Sequence, residues 1–135
     1  MFQLSKRVEY ALIAMRHMAV SGSGTIVTTK EIADRYNLPY DLLAKVMQTL
    51  ARKAFISSYQ GVHGGYIFRR DPRTVRVSDV INAIEGKPNV SIIQCESETP
   101  QNCIIHSTCT IKTPLVRLQS NINTLLNDMS IMEMV

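Results

Sequence analysis

Three cysteines, Cys95, Cys103 and Cys109, crowd into fifteen positions of a 135-residue chain that has no others, with seven and five residues between them. An odd number cannot pair fully as disulfides, and a reducing compartment disfavours even one pair. Thiolate ligation of a metal or of an iron-sulfur cluster accounts for the crowding better. The spacing does not match a Cys-x-x-Cys zinc knuckle, and His106 is the only nitrogen ligand close by. A Cys103 or Cys109 nucleophile with His106 as its base is the enzymatic alternative, but no glycine loop for an oxyanion and no third orienting group lies nearby.

A second set of residues has the chemistry of a polyanion reader. Residues 1–77 carry twelve Lys and Arg against five Asp and Glu, whereas residues 78–135 carry three against six. That asymmetry joins a basic half, with nucleic acid as its first candidate partner, to an acidic half with another task.

The elements that must position these groups follow from spacing. Leu4, Val8, Ala11, Leu12, Met15, Met18 and Ala19 recur at helical intervals until Ser21-Gly22-Ser23-Gly24 breaks the pattern. Thr28-Thr29-Lys30-Glu31 reads as a capping box that opens a short second helix through Tyr36. Asn37-Leu38-Pro39 is a tight turn, with Pro39 expected at the first position of a third helix whose apolar stripe is Leu42, Leu43, Val46, Met47, Leu50 and Ala51. Phe55 to Tyr59 and Tyr66 to Arg70 flank the glycine-rich tip of a hairpin, and Val77 to Ile84 is a fourth helical stretch ending at Glu85-Gly86. Thr113-Pro114 is expected to cap a last long helix in which Leu115, Leu118, Ile122, Leu125 and Met129 step by three and four. Such a stripe calls for a partner helix.

The fold class expected is mostly α with a small β-hairpin wing: a winged helix-turn-helix over residues 1–86, a cysteine-containing loop over 87–112, and a dimerisation helix with a tail over 113–135. In such a fold the second helix of the pair enters the major groove. The DNA-binding candidates are Thr28 and Thr29 for phosphates, Tyr40, Asp41, Lys45 and Gln48 for base edges, and Arg52 for a phosphate. At the wing tip Gln60, His63 and Gly64 are placed to enter the adjacent minor groove. The longest run without a charge, Ala54 to Phe68, is too short and too polar for a membrane span, and the first residues lack a signal-peptide pattern, so a cytoplasmic protein is expected.

Leu4-Ser5-Lys6 with Tyr10-Ala11-Leu12, Ile32-Ala33, Leu38-Pro39-Tyr40, Gly61-Val62-His63-Gly64-Gly65-Tyr66 and Val80-Ile81-Asn82-Ala83-Ile84-Glu85-Gly86 together resemble the winged helix-turn-helix family of bacterial iron-sulfur regulators of the IscR, NsrR and RirA type. The cysteine loop and last helix extend the likeness over nearly the whole chain. The resemblance implies a homodimer through the long helix, with Leu115, Leu118, Ile122, Leu125 and Met129 at its interface. It implies an iron-sulfur cluster, 4Fe-4S ahead of 2Fe-2S, on Cys95, Cys103 and Cys109, and a regulator, repressor ahead of activator, of iron, redox or nitric-oxide stress genes bound to double-stranded DNA. The first interval holds seven residues where the commonest family pattern holds five. Some members use a histidine three residues after the last cysteine, where this chain has Lys112; others use an acidic residue of the first helix, which matches Glu9. Glu9 from the other subunit is therefore the expected fourth ligand, with His106 as the alternative. A cluster-free or zinc-stabilised regulator that binds DNA constitutively is the competing reading.

Overall fold

The computed structural model describes residues 3–87, 90–93, 103–105 and 107–135; Cys95 and His106 lie outside the described residues. Its elements are helices α1 (Lys6–Ser21), α2 (Thr29–Tyr36) and α3 (Tyr40–Arg52), strands β1 (Ile56–Tyr59) and β2 (Gly65–Phe68), helices α4 (Val77–Glu85) and α5 (Lys112–Asp128), and a short 3-10 helix, Ile131–Met134.

Each helix start has a local cause. The Ser5 hydroxyl accepts the Val8 N–H at 3.3 Å and donates to Glu85, so the cap of α1 is also tied to the end of α4. Thr28 caps α2 by accepting the Glu31 N–H at 3.0 Å. The reciprocal half of the expected capping box is not made, because the Glu31 carboxylate turns to His17 instead. Pro39 is the N-cap of α3 rather than its first residue, with ψ 119° outside the helical range. Helix α5 begins at Lys112, two residues ahead of Pro114, which sits in the first turn where its missing N–H costs nothing.

Helices α1, α3 and α4 bury their stripes together. Met15, Ile32, Leu43, Met47, Leu50, Ile56 and Ile131 are the largest side chains fully withdrawn from water, each contributing about 1.5–3 kcal/mol of burial. Ile131 comes from the far end of the chain, so the core is shared by the sequence before Gly86 and the tail. The tail is fastened by a backbone bridge: Val77 N–H donates to Met129 O and Ile131 N–H to Val75 O, both at 2.9 Å. Ser130 and Glu133 then cap each other's backbone N–H groups, and this bonding holds the Glu133 carboxyl below its usual range.

β1 and β2 form one antiparallel pair, with Ile56 opposite Phe68 and Tyr59 opposite Gly65. Val27 adds a bridge to Tyr66, anchoring the hairpin to the segment before α2. A Cβ on Gly64 would stand 2.5 Å from Tyr59 O, and one on Gly65 2.7 Å from Val27 O. Both glycines are therefore required by the hairpin's own packing, whatever the tip touches.

Candidate functional site

The head of the molecule is built around α3. Its inner face, Leu43, Val46, Met47 and Leu50, is buried, and its outer face presents Asp41, Lys45, Gln48 and Arg52 to solvent at helical spacing. Tyr40, at its first turn, is 54% exposed. Arg52 donates to the Thr49 hydroxyl at 3.2 Å, and Thr49 donates to Lys45 O at 3.0 Å, so the guanidinium is held against the helix beside Lys45.

Helix α2, which packs against α3, is tied to α1 by a part-buried polar contact. His17 on α1 lies with Nδ1 3.0 Å from the Tyr36 hydroxyl and Nε2 3.2 Å from the Glu31 carboxylate. A carboxylate only accepts, so Nε2 carries the proton and donates. This fixes α2 on α1 and so sets the angle at which α3 is displayed. Of the residues read as DNA candidates, Thr29 is buried, and Thr28 is half-buried with its hydroxyl accepting the cap bond from Glu31 N–H.

The wing places Gln60, Val62 and His63 in solvent around a turn closed by Gly64 N–H to Gly61 O at 3.0 Å. Val62 is 97% exposed. Burial first, and the neighbouring Tyr40 second, hold the Tyr66 phenol above its ordinary range, so at neutral pH it stays a neutral hydroxyl at the junction of wing and α3.

In the thiol loop, Cys103 is exposed and Cys109 half-buried, and both are free thiols. Ile104, Ile105 and Ile111 around them are also exposed, Ile104 completely. Glu9 stands half-buried on α1 with its carboxylate 2.8 Å from Lys6. Among the described residues no three His, Cys, Asp or Glu side chains converge as metal ligands within one chain.

Helix α5 has two seams. The stripe read from the sequence faces away from the core: Leu118, Leu125 and Met129 are 47%, 70% and 46% exposed, and Leu115 and Ile122 are half-buried. Met129 lies one residue beyond the helix. The opposite seam carries Leu126, packed against the core, and two amides. Gln119, the only buried residue of α5, accepts the Ile92 N–H at 2.6 Å and donates to Val90 O, while Asn123 accepts the Val90 N–H at 3.2 Å. Two amides thus hold segment 90–93 against α5. Hydrophobic periodicity could not reveal this seam. The tail did carry a signal, the Ser130-Ile131-Met132-Glu133 capping pattern.

A solvent-facing helix with alternating hydrogen-bonding and cationic side chains, carried on a helix pair and flanked by a hairpin, defines a winged helix-turn-helix DNA-binding regulator. The family model described as "Iron-dependent Transcriptional regulator" matches residues 4–135, and the chain belongs to that family, Rrf2. It is 24% identical over 110 residues to the HTH-type transcriptional regulator NsrR of Shouchella clausii, covering 82% of this chain and 72% of that protein. The structure of CymR, the global cysteine regulator of B. subtilis, superposes with TM-score 0.79 at 19% identity, covering 99% of this chain and 96% of that one. T. potens IscR superposes with TM-score 0.72 at 22% identity, covering 98% and 85%. These relatives are transcription regulators, not enzymes, and DNA binding is the function of the class. No helix among the described residues is long and apolar enough to cross a membrane.

If α3 reads base edges, Lys45→Ala and Gln48→Ala should each cost about 1–3 kcal/mol on the preferred operator and little on other DNA. Arg52→Ala should weaken all sequences alike and reduce the slope of log affinity against log salt by about one. Fluorescence anisotropy on matched and scrambled duplexes separates the two patterns; equal losses on both duplexes for Lys45→Ala and Gln48→Ala would remove α3 as the reading element.

Proposed function

We propose that the protein is a cytoplasmic, homodimeric repressor whose operator binding is controlled by an iron-sulfur cluster, 4Fe-4S by preference, held by Cys95, Cys103 and Cys109 and completed by Glu9 of the partner subunit. The observation that carries this reading is the position of two free thiols immediately before α5, the helix whose outward apolar stripe needs a second copy to cover it. Soft thiolates suit cluster iron, and the exposed Ile104, Ile105 and Ile111 supply apolar surface that would shield it from water. A bound cluster supplies reactivity toward oxygen, nitric oxide or iron limitation.

The chain's own residues convert that chemistry into a change of DNA affinity. Cys109 lies just ahead of α5, so a change in the loop bears on the dimer helix, and α5 is joined to the head through the backbone bridge at Val75, Val77, Met129 and Ile131. Glu9 is free to exchange partners: its pairing with Lys6 is exposed, and such pairs contribute only about 0–1 kcal/mol. A hard carboxylate among thiolates makes a labile fourth position, which suits a sensor. Because Glu9 is on α1, its release would act directly on the head.

The test is anaerobic reconstitution of the full chain with iron and sulfide. The protein should turn brown with broad visible absorption, and Cys95→Ala, Cys103→Ala and Cys109→Ala should each bleach it. Glu9→Ala should keep iron but alter the spectrum, speed cluster loss to oxygen or nitric oxide, and blunt the operator response. A colourless, iron-free wild type that still binds its operator would favour the constitutive regulator. An unchanged spectrum in Glu9→Ala with a changed one in His106→Ala would move the fourth ligand to His106.

A further inference from the structure

The sequence Arg69-Arg70-Asp71-Pro72-Arg73 follows the wing and takes no part in the reading above. It forms one wall of a groove of about 520 Å³, whose other walls are Met18, Ala19, Gly22 and Ser23 at the end of α1, Phe68 at the end of β2, and Met132 of the tail. That volume is within the range of small-molecule sites, roughly 300–1,000 Å³.

The groove's chemistry is specific. The apolar part of its lining comes from Met18, Ala19, Phe68, Pro72 and Met132. Its cationic side is partly fixed: Arg70 donates to Lys53 O at 3.3 Å and lies 4.4 Å over the Phe55 ring. Among the described residues Arg69 and Arg73 have no hydrogen bond or ion pair to their guanidinium groups. Asp71 accepts the Arg73 backbone N–H at 2.9 Å and keeps its charge, so the lining sets three arginines against one carboxylate. Two unengaged guanidiniums in a groove with this apolar lining suit a carboxylate or phosphate ester on a short apolar body. Operator phosphate is a poorer match, because it has no use for the apolar lining and because the groove lies at the root of the wing, four paired residues from the tip, roughly 13 Å along the strands.

We propose that this groove is a binding site for a small organic anion, and that its occupancy shifts operator affinity. The second half follows from what meets there: α1, the root of the wing, and the tail joined to α5. A ligand bridging them favours one disposition of head and dimer helix over another. The site itself stands apart from the cluster reading; its effect on DNA rests on the operator binding proposed above.

The probes are hexanoate, hexanol and inorganic phosphate, titrated into the full-length protein at fixed ionic strength and followed by amide shifts of Gly22, Ser23 and Arg73. Hexanoate should bind, and hexanol and phosphate should each bind about tenfold or more weaker, since each lacks half of what the groove recognises. Arg69→Ser with Arg73→Ser, and separately the groove-filling Ser23→Trp on an exposed loop, should each lower hexanoate affinity by about the same factor. Melting temperatures near that of the wild type would verify folding. Absence of hexanoate binding, or binding unchanged in both variants, overturns the site. Hexanoate binding that leaves operator affinity unchanged overturns the regulatory half. A wild type that binds no operator overturns the DNA reading, while the titration still decides the site.

Discussion

Replacing Leu118 and Ile122 together by aspartate is expected to yield monomers by light scattering and to lower operator affinity by about 100-fold or more, the loss of avidity when two linked heads become one. The prediction rests on the outward seam of α5. Leu118 is 47% exposed and Leu125 70% in the single chain, and Ile122 lies between them on the same face. Steps of three and four place this face along a second copy of itself, as in a two-stranded helical seam. Four carboxylates facing one another across a two-fold seam would repel without partners. Neither residue is among the fully buried core, so the protomer should remain helical by circular dichroism. A folded double variant that stays dimeric would place the interface elsewhere.

The second large effect is expected at the inward seam. Gln119→Leu removes both the acceptor for Ile92 N–H and the donor to Val90 O. A fully buried backbone group left without a partner costs about 1–3 kcal/mol; Val90 and Ile92 are half-buried, so the urea-unfolding free energy should fall by roughly 1–3 kcal/mol in all. Gln119→Glu keeps the acceptor but sets a carboxylate against Val90 O, and should recover less than half of the loss. Leu118→Ala, on the other seam, should cost the isolated protomer little. Equal stability of Gln119→Leu and the wild type would mean that water replaces the amide and that segment 90–93 is not held by α5.

What the sequence revealed, and what it hid, divides along physical lines. The helices of the head were legible because each buries one face, so that Val8, Ala11, Leu12, Met15 and Met18 mark α1, and Leu43, Val46, Met47 and Leu50 mark α3, by period alone. The outer face of α3 was legible for the same reason in reverse. Glu31 was misassigned in part because capping patterns are local, whereas its carboxylate is claimed by His17 from another helix. On α5 the apolar period marked the exposed face and missed the one holding segment 90–93, since Gln119 and Asn123 act by hydrogen bonding. The arginine groove was invisible because its walls come from α1, β2 and the tail, which only the tertiary fold brings together.

The burial of Ile131 has a consequence for how the molecule comes into being. Its side chain fills the same core as Met15, Leu43 and Leu50, and a backbone bridge beside Val77 holds it there. During synthesis the head therefore cannot complete its core until α5 and the residues behind it have left the ribosome. A nascent chain interrupted after the wing would carry every side chain of α3 yet lack α4, which packs against α3, and the tail, which closes the core over α1. Maturation thus runs in one order. The last core contacts of the head therefore form only after α5 and the tail have been synthesised.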